Sequence, residues 1–184
     1  MSSVLTELVE LLALERIEEN LFRGQSQDLG WGQVFGGQVL GQALSAAVQT
    51  VPTDRHVHSL HAYFLQLGDA KKPIVYTVDR TRDGSSFSSR SILATQYGKP
   101  IFQMIASFQL DEVGFEHADP MPDVPGPEGL RSERDLWKEY SQRLPEALRS
   151  RALNARPIEL RPVSPMHPFA PQKTSPVQAV WVRA

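Results

Sequence analysis

The sequence predicts an α+β fold in which a curved antiparallel sheet wraps around one long central helix. The first observation is the stretch Val34–Val48, whose residues are all apolar or uncharged. A helix that is neutral nearly all round is usually buried. The second is a succession of four strand-like segments after this stretch. Because a glycine costs about 1 kcal/mol relative to alanine in a helix interior, Gly37 and Gly41 indicate close approach of a sheet or a ligand.

The segments before the central helix are short. Apolar residues at helical spacing predict a first amphipathic helix that runs through Leu14. Leu21–Ser26 is predicted to be a short strand, and a glycine-rich loop at Asp28–Gln33 leads into the central helix.

The four strands after the helix alternate apolar and polar residues, and Asp83-Gly84 is a strong hairpin signal. Alternation in the first strand places His58, Leu60, Ala62 and Phe64 on one face. The last three strands form a meander. The predicted strands are His56–Leu67, Ile74–Arg80, Ser86–Tyr97 and Pro100–Leu110.

The composition changes after Asp111, because all but three of the 14 prolines lie from Pro120 onward. We therefore expect a first domain over 1–112 and a proline-rich linker over 113–156, with a short helix within Leu136–Arg151 that is interrupted near Pro145. Residues 157–184 are expected to be two strands that open a second domain. Apolar surface around Val177, Val180 and Trp181 is expected to be exposed unless a companion covers it.

The composition excludes several classes of function. A net charge of −2 gives no indication of nucleic-acid binding. No apolar run is long enough to insert into a membrane. The absence of cysteine excludes thiol chemistry and fits a reducing compartment, so a cytoplasmic location is expected. The histidines at 56, 117 and 167 suit no metal site, and no cofactor is expected.

Seven separate segments of the sequence resemble acyl-CoA thioesterase II, the TesB-type family. They run from near the first helix to the last residue and are Leu21–Ser26, Gln33–Val39, Val57–Phe64, Arg82–Ser88, Gly98–Phe102, Ala106–Gln109 and Val180–Ala184. The resemblance implies the hotdog fold, in which a sheet wraps around one helix. It also implies the hydrolysis of fatty acyl-CoA to free acid and CoA.

The same resemblance implies a double hotdog, usually within a larger homo-oligomer. The family's proposed catalytic group is an Asp with a Thr or Ser and a Gln, which orient a water mainly in the second hotdog. No position of this sequence matches the helix that bears that Asp. The chain is therefore expected to be the N-terminal portion of the enzyme, completed by a second hotdog half or a companion chain, and to lack the main catalytic residues by itself.

Thioester hydrolysis needs a base-activated water and polarisation of the carbonyl oxygen. Gly36, Gly37 and Gln38 begin the central helix, where free backbone N–H groups favour an anion. They are the candidate oxyanion site. The alternative is that the two glycines only permit tight packing against the sheet.

His58 is the candidate general base, because a histidine with a pKa near neutral can accept a proton from water. TesB-like enzymes carry a histidine at this position. The alternative is a hydrogen-bonded structural imidazole or one at an interface. His61, predicted on the opposite face, is expected to be structural.

Substrate-binding candidates fall into two groups. Arg82, Arg90, Lys71 and Lys72 are candidates for the CoA phosphates, and the alternative is a solvated turn and strand edge. Phe102, Met104 and Phe108 are candidates for an acyl tunnel, and the alternative is core packed against the central helix.

Three functions are therefore compatible with the sequence. The first is acyl-CoA thioesterase, the second is a non-catalytic hotdog module that binds acyl-CoA or assembles with a partner, and the third is a hotdog hydratase or dehydratase that uses His58. The sequence does not define the acyl-chain length.

Overall fold

The computed structural model describes residues 3–184. They fall into two compact units. One is Glu7–Phe115, and the other is Glu116–Ala184 together with residues 3–6. The finer division at 156, which separates the linker from the last two strands, stays a prediction.

The unit Glu7–Phe115 contains a six-stranded antiparallel sheet in the order β1-β2-β4-β5-β6-β3. The predicted α+β class is confirmed: a single long helix, α2, lies against this sheet. The bounds are α1 Ser3–Leu12, β1 Glu15–Glu18, β2 Leu21–Gly24, α2 Gly36–Val48, β3 Arg55–Phe64, β4 Ile74–Asp83, β5 Phe87–Gln96 and β6 Lys99–Leu110.

The core forms between α2 and the facing side of the sheet. Small residues of α2 let the strands approach the helix closely, and Ala43, Ala46 and Ala47 are fully buried. Large side chains come from the strands, where alternate residues point to one face. The core residues from the sheet are Phe22, Ile74, Tyr76, Val78, Ile92, Ala94, Ile101, Phe102, Met104, Ala106 and Phe108.

The meander of β4, β5 and β6 was predicted, and strand β1 was not. The turn between β5 and β6 has positive φ at both Tyr97 (51°) and Gly98 (70°), as the two-residue hairpin loop that matches strand twist requires. Strand β1 is exposed along its whole length and has no apolar alternation. It pairs with β2 and is supported by the ion pair of Glu15 with Arg23 at 2.6 Å.

The unit Glu116–Ala184 contains two short helices and a two-stranded ribbon. The helix predicted between Leu136 and Arg151 and interrupted near Pro145 is confirmed as two separate helices. The elements are α3 Glu133–Tyr140, a 3-10 helix Ser141–Arg143, α4 Glu146–Leu153, β7 Glu159–Pro162 and β8 Val180–Arg183. β7 and β8 pair antiparallel.

Two of the three apolar residues predicted to be exposed in this unit are exposed, and the third is half-buried. Val177 is 80% exposed and Val180 is 47% exposed. Trp181 is half-buried, and its indole N–H donates to the Pro125 carbonyl at 2.9 Å.

Gln42 is a buried polar residue in the otherwise apolar contact between α2 and the sheet. It is fully buried, and its Nε2 donates to the carbonyls of Leu11 (2.7 Å) and Gln25 (2.9 Å). Its Oε1 accepts from the Tyr76 hydroxyl at 2.8 Å. Burial raises the pKa of Tyr76, so this hydroxyl stays a neutral donor. The network ties α2 to α1, to the segment after β2 and to β4.

Arg90 ties the other end of α2 to the sheet. It is fully buried on the face of β5 that points to α2, and all five of its N–H donors are used. Nε and Nη2 donate to the hydroxyl and carbonyl of Thr50, at 2.9 and 2.8 Å. Nη2 also pairs with Asp83 at 2.6 Å, and Nη1 donates to the carbonyls of Arg82 and Ser89.

This placement corrects the prediction that Arg90 meets CoA phosphates. Its guanidinium has no donor left and no contact with solvent. Its role in this fold is to hold the carbonyl end of α2, where the helix dipole favours a cation.

We predict that Gln42→Leu lowers the free energy of unfolding by about 2 kcal/mol, because it leaves the buried Tyr76 hydroxyl without an acceptor and removes one bond to each of the Leu11 and Gln25 carbonyls. Chemical denaturation measures this value. Gln49→Leu is the control at the exposed position just after the same helix, and its effect should stay within about 0.5 kcal/mol. Equal losses in the two variants would contradict the network.

We predict a similar contrast for two arginines of the sheet. Arg90→Met should cost about 3 kcal/mol, because it removes the donors that bond the buried Thr50 and the carbonyls of Arg82 and Ser89. Arg80→Met removes only an exposed pair with Glu19 and should cost at most about 1 kcal/mol.

The Arg90 interaction also predicts a pH dependence. The Arg90 hydrogen bond lowers the pKa of Asp83, so the carboxylate stabilises the fold above its unfolded pKa and this contribution disappears as the pH falls. Acidification below about pH 4 should therefore destabilise the native chain more steeply than Arg90→Met. Parallel slopes in acid would contradict this assignment.

Candidate functional site

An apolar cleft lies at the N-terminal end of α2. Its volume is about 370 Å³. Side chains and backbone from α2, the end of β3, the following loop and the start of β6 form its walls. The lining residues are Val34, Gly36, Val39, Phe64, Leu65, Gln66, Leu67, Gly68, Ile101 and Phe102.

Backbone hydrogen bonds hold the walls of the cleft in place. The Val34 N–H donates to the Gly68 carbonyl at 2.9 Å. The N–H groups of Leu65 and Gln66 both donate to the Ile101 carbonyl, at 2.9 and 3.2 Å. The loop after β3 is therefore tied both to the entry of α2 and to β6.

Two side chains brace the loops around this end of the sheet. Asp28 Oδ1 accepts from three consecutive N–H groups, those of Gly30, Trp31 and Gly32, at 2.7–2.9 Å. These bonds lower the pKa of Asp28. Gln96 fixes the loop before β4: it accepts from the Asp69 N–H and donates to the Asp69 and Lys72 carbonyls.

The first turn of α2 presents free N–H donors at the cleft. The residue before the helix, Phe35, is extended and makes no side-chain cap, and the first turn contains no acidic residue. In the part of the chain that the structure describes, the N–H groups of Gly36 and Gly37 have no acceptor. The positive end of the helix dipole is therefore open to an anion or a polarised carbonyl.

The two glycines also permit close packing, as the alternative interpretation holds, and their role as an oxyanion site stays a prediction. A Cβ on Gly36 would lie 2.9 Å from Phe64 Cε1, and a Cβ on Gly37 would lie 2.5 Å from Phe35 Cε1.

The third predicted oxyanion residue, Gln38, is placed differently. Its N–H donates to the Phe35 carbonyl at 3.0 Å. Its buried side chain bonds the Gln25 carbonyl and the Gln27 N–H, at 2.9 and 3.2 Å. Gln38 therefore anchors the segment after β2 and leaves Gly36 and Gly37 as the available donors.

The four cationic candidates do not form one group. Lys71 and Lys72 are exposed just after Asp69, which bridges to Gln33 beside the cleft. Arg82 lies at the other end of β4, about 25 Å or more along the strand. With Arg90 buried, only the two lysines lie at the cleft end of the sheet.

His58 is not on the face that was predicted. A β-bulge between Val57 and Ser59 inserts His58 as an extra residue in β3 and breaks the alternation. Its Nε2 lies 2.9 Å from the Ser107 Oγ, and its ring meets Phe87 edge-on with centroids 5.8 Å apart. Ser107 alternates with the buried Ala106 and so points away from α2.

His58 is consequently exposed on the face of the sheet that points away from α2, the same face as His61. Six residues of strand, about 20 Å, separate it from Phe64 at the cleft. Its predicted apolar surroundings and its predicted separation from His61 are wrong.

The three acyl-tunnel candidates divide between cleft and core. Phe102 lines the cleft, whereas Met104 and Phe108 are fully buried among the core residues. Leu65, Gln66 and Leu67 also line the cleft. The sequence predicted them as the end of the strand, but β3 ends at Phe64. The signal that marks them is the pair Leu65 and Leu67, which continues the apolar residues past the end of β3 to Gly68.

The cleft has binding groups and no titratable one. Among its lining residues, Gln66 carries the only polar side chain. Within residues 3–184, no group of three or more Asp, Glu or His side chains is placed to hold a metal ion. The described helices are all too short or too polar to cross a membrane.

Comparison with known proteins gives a family match within the unit Glu7–Phe115. Residues 26–109 match the family described as the acyl-CoA thioesterase N-terminal domain. That range contains α2, β3 to β5, all of β6 except its last residue, and every residue that lines the cleft.

Relatives of known name match nearly the whole chain. It is 45% identical over 183 residues to acyl-CoA thioesterase 2 of Haemophilus influenzae, covering 100% of this chain and 64% of that protein. It is 46% identical over 181 residues to acyl-coenzyme A thioesterase 8 of Homo sapiens, covering 95% of this chain and 57% of that protein.

A solved structure of a named acyl-CoA thioesterase is also similar to this chain. Acyl-CoA thioesterase II TesB2 from Mycobacterium marinum has a TM-score of 0.69 and 38% sequence identity to this chain, covering 96% of this chain and 59% of that one. The chain thus spans 57–64% of the length of these relatives. Residues 26–109 thus resemble an acyl-CoA thioesterase N-terminal domain, and the sheet around α2 has the hotdog fold.

Proposed function

We propose that this chain acts in the hydrolysis of fatty acyl-CoA to free fatty acid and CoA, with the cleft at the start of α2 as its acyl-binding site. The observation that carries the proposal is the meeting of apolar walls with the free N–H groups of Gly36 and Gly37. An acyl thioester matches both features, because its apolar acyl chain can contact the walls and its polarisable carbonyl can accept from the N–H groups. The match to the acyl-CoA thioesterase N-terminal domain and the similarity to a named acyl-CoA thioesterase support the choice of acyl-CoA as substrate.

The N–H groups supply part of the chemistry. Attack of water on a thioester places negative charge on the carbonyl oxygen, and donors aimed at that oxygen lower the barrier. Gly36 and Gly37 add the dipole of a 13-residue helix to their own hydrogen bonds. The sheet around α2 holds both donors in place before substrate arrives.

Charge at the mouth of the cleft suits the rest of the substrate. CoA carries several phosphates, and Lys71 and Lys72 are exposed at the cleft end of the sheet. We propose these two lysines as the contacts of the CoA phosphates. Arg82, at the far end of β4, is not included.

The base that activates water must come from elsewhere. No Asp, Glu or His is among the lining residues, and His58 lies on the opposite face of the sheet. We therefore propose that a second hotdog half, a companion chain or another copy of the chain supplies the base, and that the active enzyme is an oligomer. Hydrolysis needs no cofactor, since CoA is part of the substrate. A cytoplasmic place in fatty acid metabolism is consistent with the cysteine-free composition.

One observation also favours the alternative of a non-catalytic acyl-CoA-binding module, namely the lack of a titratable side chain in the cleft. Both functions require the binding of acyl-CoA, but only a thioesterase hydrolyses it. Nothing in the cleft favours a hydratase or dehydratase, because that chemistry needs His58 at the substrate.

We predict that the 184-residue chain alone binds acyl-CoA through the cleft. Gly36→Leu should weaken the binding of octanoyl-CoA at least about tenfold, because the new side chain fills the space between Phe64 and the helix. Gly114→Leu is the control, since a Cβ there meets nothing within 4 Å. Calorimetric titration measures both, and equal affinities would contradict the cleft as the site.

Release of the CoA thiol from palmitoyl-CoA separates the two functions. The chain alone should turn over slowly, and His58→Ala should leave its residual rate within about twofold, since His58 does not reach the cleft. Turnover that rises when the companion half is added supports a thioesterase, and none under any condition supports a binding module. Robust turnover of the chain alone that His58→Ala abolishes would overturn the proposal.

A further inference from the structure

The ring of Phe64 lies against both the first residue of α2 and Phe102. On one side its Cε1 and Cζ atoms lie 2.9 and 3.1 Å from where a Cβ of Gly36 would be. On the other side its centroid is 5.0 Å from that of Phe102, which is fully buried. The ring therefore fills part of the cleft between Gly36 and Phe102.

The backbone of the rest of the cleft is held in place. Gly36 and Val39 belong to the helix, Ile101 and Phe102 belong to β6, and the loop after β3 is held by its bonds to the Ile101 carbonyl. The Phe64 side chain is 60% exposed although it ends a paired strand. An exposed aromatic side chain can change rotamer at small cost, so this ring sets how much of the cleft is open.

We propose that Phe64 is the residue that determines which acyl-chain lengths this cleft accepts. The inference rests on the proposed function, because it takes the thioester oxygen to lie at the Gly36 and Gly37 N–H groups. The ring occupies the volume that further methylenes of the chain would fill. Chains that end before the ring bind fully, and longer chains displace the ring or leave their ends in water.

The lining also limits the chemistry of the chain. Apart from Gln66, every side chain that lines the cleft is apolar. A charged or hydroxylated chain end would lose its hydration without a partner. The class of acyl group that fits is therefore an unsubstituted hydrocarbon chain, and Phe64 selects within that class by length.

Binding of non-hydrolysable alkyl-CoA thioethers with 4 to 14 carbons tests this inference independently of turnover. Each methylene that the wild-type cleft encloses should improve affinity about fourfold, up to the length at which the ring blocks the chain. Phe64→Ala should move this limit at least two carbons longer, an improvement of about tenfold or more for the longest probes. Phe64→Leu, which keeps an apolar side chain of smaller volume, should give an intermediate limit.

Tyr63→Ala is the matched control. Tyr63 precedes Phe64 in β3, is 61% exposed and is not among the residues that line the cleft. Its removal should leave the length limit unchanged, and circular dichroism should show that all variants are folded.

The outcomes separate this inference from the proposed function. A wild-type length limit that neither Phe64 variant moves would overturn the role of Phe64 and leave acyl-CoA binding intact. A shift that Tyr63→Ala reproduces would also overturn it. Failure of every thioether to bind the wild-type chain more tightly than CoA itself would overturn the proposed acyl site, and the inference with it.

Discussion

The burial of α2 against one face of the sheet is the constraint on which the rest of the structure depends. A helix enclosed in this way must carry small or neutral residues, and Ala43, Ala46 and Ala47 allow strands to approach where larger side chains would hold them off. The polar group that the helix buries most deeply, Gln42, has all its bonds made within the fold. Packing and hydrogen bonding together define the position of the helix along the sheet.

That position gives the two ends of α2 different chemistry. At the carbonyl end, Arg90 uses every donor on Thr50, Asp83 and backbone carbonyls, so the end is closed and serves stability. At the N-terminal end no side chain caps the helix, and Gly36 lines an apolar cleft. The uncapped end can therefore offer N–H donors and the positive end of the helix dipole to a ligand.

Periodicity in the sequence predicts most of this fold and only part of its site. The central helix and the meander follow from residue spacing alone, because period and turn chemistry are local properties. The bulge at His58 is not local: it depends on the register of β3 against β6, and one extra residue moves the imidazole to the other face. The burial of Arg90 escapes prediction for the same reason, since its partner Thr50 lies forty residues away. Gly36 and Gly37 were predicted correctly as positions at the helix start, but the ring of Phe64 beside them depends on where β3 ends.

The central claim is that the N–H groups of Gly36 and Gly37 bind the thioester carbonyl. Amide spectra of the ¹⁵N-labelled chain, titrated with octanoyl-CoA and in parallel with CoA, test it most directly. The account predicts that the amide protons of Gly36 and Gly37 move downfield with octanoyl-CoA and stay in place with CoA. If saturating octanoyl-CoA shifts other amides while these two do not move, the carbonyl binds elsewhere and the account is wrong.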